Sequence, residues 1–293
     1  MEISAKTVKE LRDKTGLGMM ICKQALIDAG GDMEAAIQEL RKQGQITAAK
    51  RAGKAAKEGK VCIYTDAACG ILYELNAETD FVVRNDDFVG FLGDLGKILA
   101  ANRPADHAAA LQLTDASIGG ITVEARVTEL VGKIGENIMF RRYKKMDADP
   151  SKEKIFSYDH GSGRIGVLIK LEAASADALA SPALAQLGAD LAMQIAAENP
   201  IAIDESGISA DIIAKEKDVY FTQASTSGKP ENVWEKMVEG KLRKYYEEVT
   251  LVNQKFIRDP EKGVAEIIAE ASKAAGAEVK PVCFIRFELG AEE

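Results

Sequence analysis

Apolar residues in the first part of the chain recur with the period of an α-helix. A first helix is predicted to end at Gly16, and a second begins at Met19, with apolar positions at i, i+3, i+4 and i+7. Asp32 is placed to cap a third helix, which we expect to end at Gly44. Three amphipathic helices of this length predict a small bundle over residues 1–45.

Beyond the bundle, the sequence contains an internal repeat. Gly70-Ile71-Leu72 recurs as Gly166-Val167-Leu168, a shift of 96 residues, and Pro104 recurs as Pro200 at the same shift. Further pairs at this shift are Leu75 with Leu171, Phe88 with Leu184, Asp94 with Asp190, Leu95 with Leu191, and 99–101 with 195–197. A constant shift over roughly 35 residues indicates two related structural units.

Each copy of the repeat predicts a β-hairpin, a helix and a later strand that closes the sheet. The elements predicted for the first copy are 61–65, 70–77, 86–102 and 137–143. Those predicted for the second copy are 155–158, 165–171, 182–198 and 279–289. The second copy also carries two inserted helices, 211–224 and 231–248, and such a helical hairpin usually packs on a partner or on itself.

These patterns predict an α+β protein. Its parts are an N-terminal UBA-like three-helix bundle, a linker helix, two repeated antiparallel-sheet and helix units that form the core, and an inserted helical hairpin. The predicted boundaries are 1–45 for the bundle, 46–59 for the linker, 60–145 for core unit 1, and 146–289 for core unit 2, with the hairpin at 211–248.

Composition narrows the class of protein. The chain has 293 residues, of which 46% are apolar and 29% charged, as in globular proteins of about two folding units. It opens without an apolar leader, and no apolar run reaches the ~18 residues of a membrane helix. The cysteines form no CxxC pair, which indicates reduced thiols and a cytoplasmic location. The four are Cys22, Cys62, Cys69 and Cys283.

The net charge of −8 is unevenly distributed. Residues 1–60 carry +4, so the rest of the chain carries −12 and is a poor non-specific binder of nucleic acid. One basic block, 41–60, contains seven Lys or Arg against Glu58 alone. This pattern is typical of a solvated helix, and contact with RNA or with an acidic protein surface is the alternative.

The two copies disagree where the first β-hairpin leads into its helix. Residues 76–85 contain acidic and aromatic side chains, whereas 172–178 are mostly Ala and Ser at the same shift. Thr79 is placed to cap a short helical turn that would direct Asp80 and Phe81 outward, where function tends to be located. In the alternative, Phe81 and Val82 are buried beneath the sheet, and Asp80 lies near a helix N-terminus.

Two strings of the sequence are highly specific together: Leu-Arg-x-x-Thr-Gly-x-Gly-Met-Met at 11–20 and Thr-Asp-Phe-Val at 79–82. Seven further segments accompany them, namely 22–26, 31–32, 74–78, 133–138, 160–168, 227–230 and 237–241. Through these strings and segments the sequence resembles a known family, bacterial translation elongation factor Ts, over residues 3–289.

The resemblance implies a guanine nucleotide exchange factor for the GTPase elongation factor Tu, with no bond chemistry and no metal or cofactor of its own. In the family, the segment matching Thr79, Asp80, Phe81 and Val82 enters the GTPase near the magnesium of the nucleotide and disturbs it. The expected partner is elongation factor Tu, GDP-bound and nucleotide-free, with no nucleic acid and no membrane. Self-association would give a 2:2 complex.

The resemblance also implies weaker partner contacts, for which the residues themselves allow other interpretations. These contacts are Met19, Met20, Lys23 and His160. The two methionines also suit the bundle core, although adjacent helical residues cannot both point inward. Lys23 and His160 also suit simple solvation.

Three alternative classes of protein, an enzyme, an RNA-binding protein and a passive scaffold, predict different sequence features or different behaviour. An enzyme is disfavoured because the two histidines are far apart and the chain lacks GxSxG, HExxH and P-loop strings. An RNA-binding protein would use residues 41–60 and would bind with a steep salt dependence. A passive scaffold would leave nucleotide release unchanged when Phe81 is substituted.

Overall fold

The computed structural model describes residues 3–291, whose contacts divide them into two compact units. The first unit holds residues 3–62, 73–144 and 289–291, and the second holds 63–72 and 145–288. No helix within the described residues is long and apolar enough to cross a membrane.

The chain begins with three helices: α1 (Ala5–Thr15), α2 (Met19–Asp28) and α3 (Met33–Arg51). The side chains of Ser4 and Asp32 cap α1 and α3, since each accepts a backbone amide of the first turn. Their shared core is Val8, Leu11, Cys22, Ala25, Leu26 and Ala36. The predicted three-helix arrangement is therefore confirmed.

The next elements along the chain are β1 (Glu58–Thr65), β2 (Cys69–Ala77), α4 (Asp86–Asn102), α5 (His107–Leu111), α6 (Val123–Ile134) and β3 (Ile138–Asp147). The helices belong to the first unit, as do the strands apart from the strand residues 63–65, 69–72 and 145–147, which are counted in the second. The three strands form one sheet in the order β1-β2-β3. Both predicted hairpin strands, the helix and the closing strand are present. Helices α5 and α6 were not predicted.

The predicted end of the third helix at Gly44 is wrong, because α3 continues to Arg51. The first part of the predicted helical linker thus belongs to α3, and residues 52–57 lead on without a helix. Helix α3 packs on α6, where a Cβ on Gly132 would lie 2.7 Å from the Cα of Gly44. The two glycines therefore permit a close helix crossing, and tertiary packing outweighs the low helix propensity of Gly44.

The second unit contains β4 (Glu153–His160), β5 (Ile165–Ala173), α7 (Ala176–Ala180), α8 (Pro182–Glu198), α9 (Ala210–Ser225), α10 (Trp234–Val249), β6 (Lys255–Phe256), β7 (Asp259–Gly263), α11 (Val264–Ala275) and β8 (Val279–Glu288). Strands β4, β5 and β8 form an antiparallel sheet in that order. One face of β5 packs on α8 through a continuous apolar core. The predicted sheet, helix and helical hairpin are confirmed.

The two copies correspond in backbone detail. The residues that follow α4 and α8, Arg103 and Asn199, are their C-caps; they have left-handed φ values of 45° and 46°, and each precedes a proline. Beyond the hairpin α9–α10 the shift grows from 96 to 141 residues, since β3 begins at 138 and β8 at 279. The hairpin is therefore an insertion into an otherwise repeated unit.

Candidate functional site

The candidate site is the connection between β2 and α4, residues 78–85, which we call the corner. Val82–Arg84 form a short 3-10 helix, and Asn85 then caps α4. Phe81 is 78% exposed and Val82 is 5% exposed. The outward interpretation is therefore correct for Phe81, and the buried interpretation is correct for Val82, which fixes the 3-10 helix from within.

Asp80 lies beside Phe81 on the exposed side of the corner. Its Oδ2 is 3.4 Å from Nη2 of Arg84, and both side chains are more than half exposed. An ion pair this exposed contributes little to stability. The carboxylate of Asp80 thus remains accessible to a partner.

The predicted capping role of Thr79 is wrong. The Thr79 amide donates to Oε2 of Glu136 at 3.0 Å, and its hydroxyl donates to Oε1 of the same carboxylate at 2.9 Å. The 3-10 helix that follows has no side-chain cap. Thr79 therefore anchors the corner to the segment that precedes β3, through a residue 57 positions away in sequence.

Glu78 makes the complementary contact. The amide of Asn137 donates to Oε1 of Glu78 at 2.7 Å, and Nη1 of Arg51 lies 3.3 Å from both carboxylate oxygens. Arg41 is likewise paired, with Glu129 on α6 at 3.4 Å. Because Arg51 donates hydrogen bonds to Glu78 inside the first unit, the basic block offers one cation fewer to an RNA backbone.

Strand β2 and helix α4, which flank the corner, are also fixed to each other. The Tyr73 hydroxyl donates to the carbonyl of Leu92 at 3.0 Å. A Cβ on Gly96 would lie only 2.5 Å from this hydroxyl, so glycine there makes the contact feasible. Burial raises the pKa of Tyr73, which keeps the hydroxyl protonated as a donor.

A buried ion pair lies on β2, ahead of the corner. Glu74 is fully buried, and its Oε2 accepts from Nε of Arg142 at 2.6 Å. Its Oε1 accepts from Nδ2 of Asn76 at 2.9 Å and from the amide of Gly290 at 2.8 Å. The network ties β2 to β3 and to the C-terminal segment.

Lys133 joins three helices of the first unit. Its Nζ is 2.7 Å from Oδ1 of Asp87 in the first turn of α4. The same side chain lies over Gly16, the left-handed C-cap of α1, where a Cβ would collide with it. An ammonium group near a helix C-terminus is favourable, so Lys133 links the bundle to the helix that follows the corner.

Helix α2 presents an exposed apolar surface, which we call the α2 surface: Met19, Met20, Ile21 and Ile27. Met20 is 75% exposed and Met19 is 41% exposed, so the bundle-core interpretation is wrong for both. Lys23 is exposed on the same helix. Contiguous exposed apolar side chains are typical of protein contact sites.

The two histidines differ in their surroundings. His160 is exposed at the end of β4, with Nδ1 3.2 Å from the hydroxyl of Tyr158 and the two rings stacked at 6.0 Å. His107 is structural, since its Nε2 lies 2.8 Å from the carbonyl of Phe140. Within residues 3–291, no group of three or more His, Cys, Asp and Glu side chains is arranged to hold a metal ion.

Local sequence patterns indicate the corner and α2 but not the residues that hold the corner, namely Arg51, Glu78, Lys133 and Glu136. Three of them lie inside matching segments or the corner itself. A second comparison of the copies, at the shift of 141, would have singled out Glu136, because the equivalent position is Ala277.

Known proteins resemble this chain over nearly its full length. The family described as Elongation factor TS matches residues 78–291, a range that starts at the corner. Elongation factor Ts of Psychrobacter sp. (strain PRwf-1) is 46% identical over 289 residues, covering 99% of this chain and 91% of that protein. Elongation factor Ts of Clostridium perfringens (strain 13 / Type A) is 42% identical over 290 residues, covering 98% and 93%. The chain therefore belongs to the elongation factor Ts family of translation elongation factors.

Proposed function

We propose that this chain is a guanine nucleotide exchange factor for elongation factor Tu. It binds the GDP-bound and the nucleotide-free GTPase, disturbs the magnesium and phosphate site, and hastens GDP release so that GTP can bind. The chain performs no bond chemistry in this role and acts in the cytoplasm. The observation that supports the proposal is the 78% exposure of Phe81 on a corner anchored at both ends.

The energetic requirement is differential binding. Bound GDP is held largely by Mg²⁺ and by backbone donors around its phosphates. A factor that binds the empty GTPase more tightly than the loaded one must weaken nucleotide binding by the same factor. The chain therefore accelerates release without touching the nucleotide, provided that its contacts are better in the empty state.

Phe81 supplies a contact of suitable size. Burying a phenylalanine side chain in an apolar slot contributes on the order of 1.5–3 kcal/mol. Since about 1.4 kcal/mol is tenfold, this wedge alone shifts nucleotide affinity by roughly one to two decades. In this proposal Asp80 acts by charge or hydrogen bonding on the displaced segment of the GTPase, and buried Val82 keeps the wedge in place.

Additional binding energy in this proposal comes from outside the corner. The α2 surface and Lys23 form a contact of the bundle with the GTPase, and His160 forms a contact of the second unit. These contacts bring the two proteins together in both nucleotide states. Only the corner is required to discriminate between the states.

The test is release of a fluorescent GDP analogue from elongation factor Tu, followed by stopped flow with excess unlabelled GDP. We expect catalytic amounts of the wild-type chain to accelerate release many-fold. Bovine serum albumin at the same concentration controls for non-specific effects. Unchanged release across a range of concentrations that saturates binding would contradict the proposal.

A further inference from the structure

Two segments of the first unit exchange hydrogen bonds in a reciprocal pattern. The amide of Asn137 donates to Glu78, and the amide of Thr79 donates to Glu136. Each glutamate thus accepts from the residue that follows the other glutamate. We call this group, Glu78, Thr79, Glu136 and Asn137, the carboxylate clasp.

The clasp contains two carboxylates, and the surrounding donors compensate their charge. Arg51 lies 3.3 Å from both oxygens of Glu78, and the hydroxyl of Thr79 adds a further donor to Glu136. The side-chain amide of Asn137 donates in turn to the carbonyl of Lys54 at 2.7 Å. Hydrogen bonds to ionised acceptors are roughly twice as strong as neutral ones, so the clasp is a firm connection.

The clasp exists only in the copy that carries the corner. At the shift of 96 Glu78 corresponds to Ala174, and at the shift of 141 Glu136 corresponds to Ala277. In the second copy the amide of Ala174 donates instead to a backbone carbonyl, and Ser175, the counterpart of Thr79, caps the helix α7. The sheet and helix scaffold therefore forms without the clasp, which points to a purpose specific to the corner.

That purpose follows from the position of Thr79, two residues before Phe81. Fixing the amide and the hydroxyl of Thr79 determines the direction in which the chain leaves β2, so that Phe81 points outward and Val82 inward. We propose that Glu78 and Glu136 are positioning residues for nucleotide exchange, which hold Asp80 and Phe81 ready before the GTPase is met. This inference rests on the proposed function.

The test compares three substitutions of Glu136 in the GDP-release assay. Glu136→Gln keeps the reach and an acceptor oxygen, Glu136→Asp keeps the charge but shortens the side chain, and Glu136→Ala removes both. If the position of the corner governs release, Glu136→Ala and Glu136→Asp lower the maximal rate of GDP release by about tenfold or more, because each loses hydrogen bonds to a charged group. Glu136→Gln retains most of the wild-type rate. The half-saturating concentration of each variant differs from that of the wild type by less than about threefold, because α2 and the second unit still bind elongation factor Tu.

Glu124→Ala is the matched control, since Glu124 is an exposed carboxylate of α6 outside the clasp. We expect the Glu124→Ala variant to accelerate GDP release from elongation factor Tu as much as the wild-type chain does. Amide hydrogen exchange gives a readout independent of activity: Glu136→Ala should speed exchange at Thr79, and at Asn137 as well because the clasp is reciprocal.

The outcomes separate the inference from the proposed function. A wild-type chain without activity would overturn the proposed function itself. An active wild type together with a fully active Glu136→Ala variant, in which both amides exchange faster, would overturn the positioning role alone. A Glu136→Asp variant with wild-type rate beside an inactive Glu136→Gln would also overturn it, because charge and not position would then govern release.

Discussion

Replacing Phe81 with alanine is expected, under the proposed exchange function, to lower the maximal rate of GDP release from elongation factor Tu by about ten- to a hundredfold. The reason is the loss of on the order of 1.5–3 kcal/mol of apolar burial that is available only in the complex with the opened GTPase. Phe81 is 78% exposed in the free chain, so the free energy of unfolding should change by less than about 0.5 kcal/mol. Stopped-flow release and urea unfolding measure the two quantities on the same preparation.

Two further variants define the effect of Phe81. Phe81→Leu keeps most of the apolar surface and should retain an intermediate rate. Met139→Ala removes a side chain that is also exposed but lies on β3, and it should leave the rate unchanged. A Phe81→Ala variant that is folded and as active as the wild type would show that the wedge lies elsewhere.

Replacing Glu74 with alanine is expected to give the largest loss of stability, about 3–5 kcal/mol. The substitution removes the carboxylate beside Arg142 and the acceptor for both Asn76 and Gly290, all inside the first unit. Because these donors are buried away from water, the loss of their shared acceptor lowers the free energy of unfolding. Urea unfolding followed by circular dichroism measures the loss.

The control for Glu74 is the same substitution in an exposed ion pair. Glu10 pairs with Lys14 across one turn of α1, and both side chains are about half exposed. Solvent screens such a pair, so Glu10→Ala should cost well under 1 kcal/mol. Equal losses for Glu10→Ala and Glu74→Ala would contradict the account of the buried network.

Local sequence signals predicted much of the fold because the elements carry their own caps and periodicity. The bounds 86–102 and 182–198 agree with α4 and α8, each of which is preceded by a capping side chain. Helix α6 was missed although its signals are present, namely Thr122 as N-cap and Gly135 as a left-handed C-cap. The end of α3 was misplaced because Gly44 belongs to a helix crossing, which depends on residues far away in sequence.

The candidate site, like the fold, was predicted only in part from the sequence. Comparison of the two copies identified the corner, because an acidic and aromatic segment in one copy stands against small residues in the other. Whether Phe81 or Val82 faces solvent was not decided by local pattern, since both are apolar and adjacent. That choice depends on the bond from Thr79 to Glu136, 57 positions away, which no local rule anticipates.

The most direct test of the central claim is the affinity of this chain for elongation factor Tu in two states. Isothermal titration calorimetry would compare the nucleotide-free GTPase with the GTPase saturated by GDP and Mg²⁺. Differential binding predicts an affinity for the empty GTPase that is higher by about a hundredfold or more, and linkage requires the GDP affinity of the GTPase to fall by the same factor. Equal affinity for the two states would contradict the account, because a partner that does not discriminate between them shifts no equilibrium.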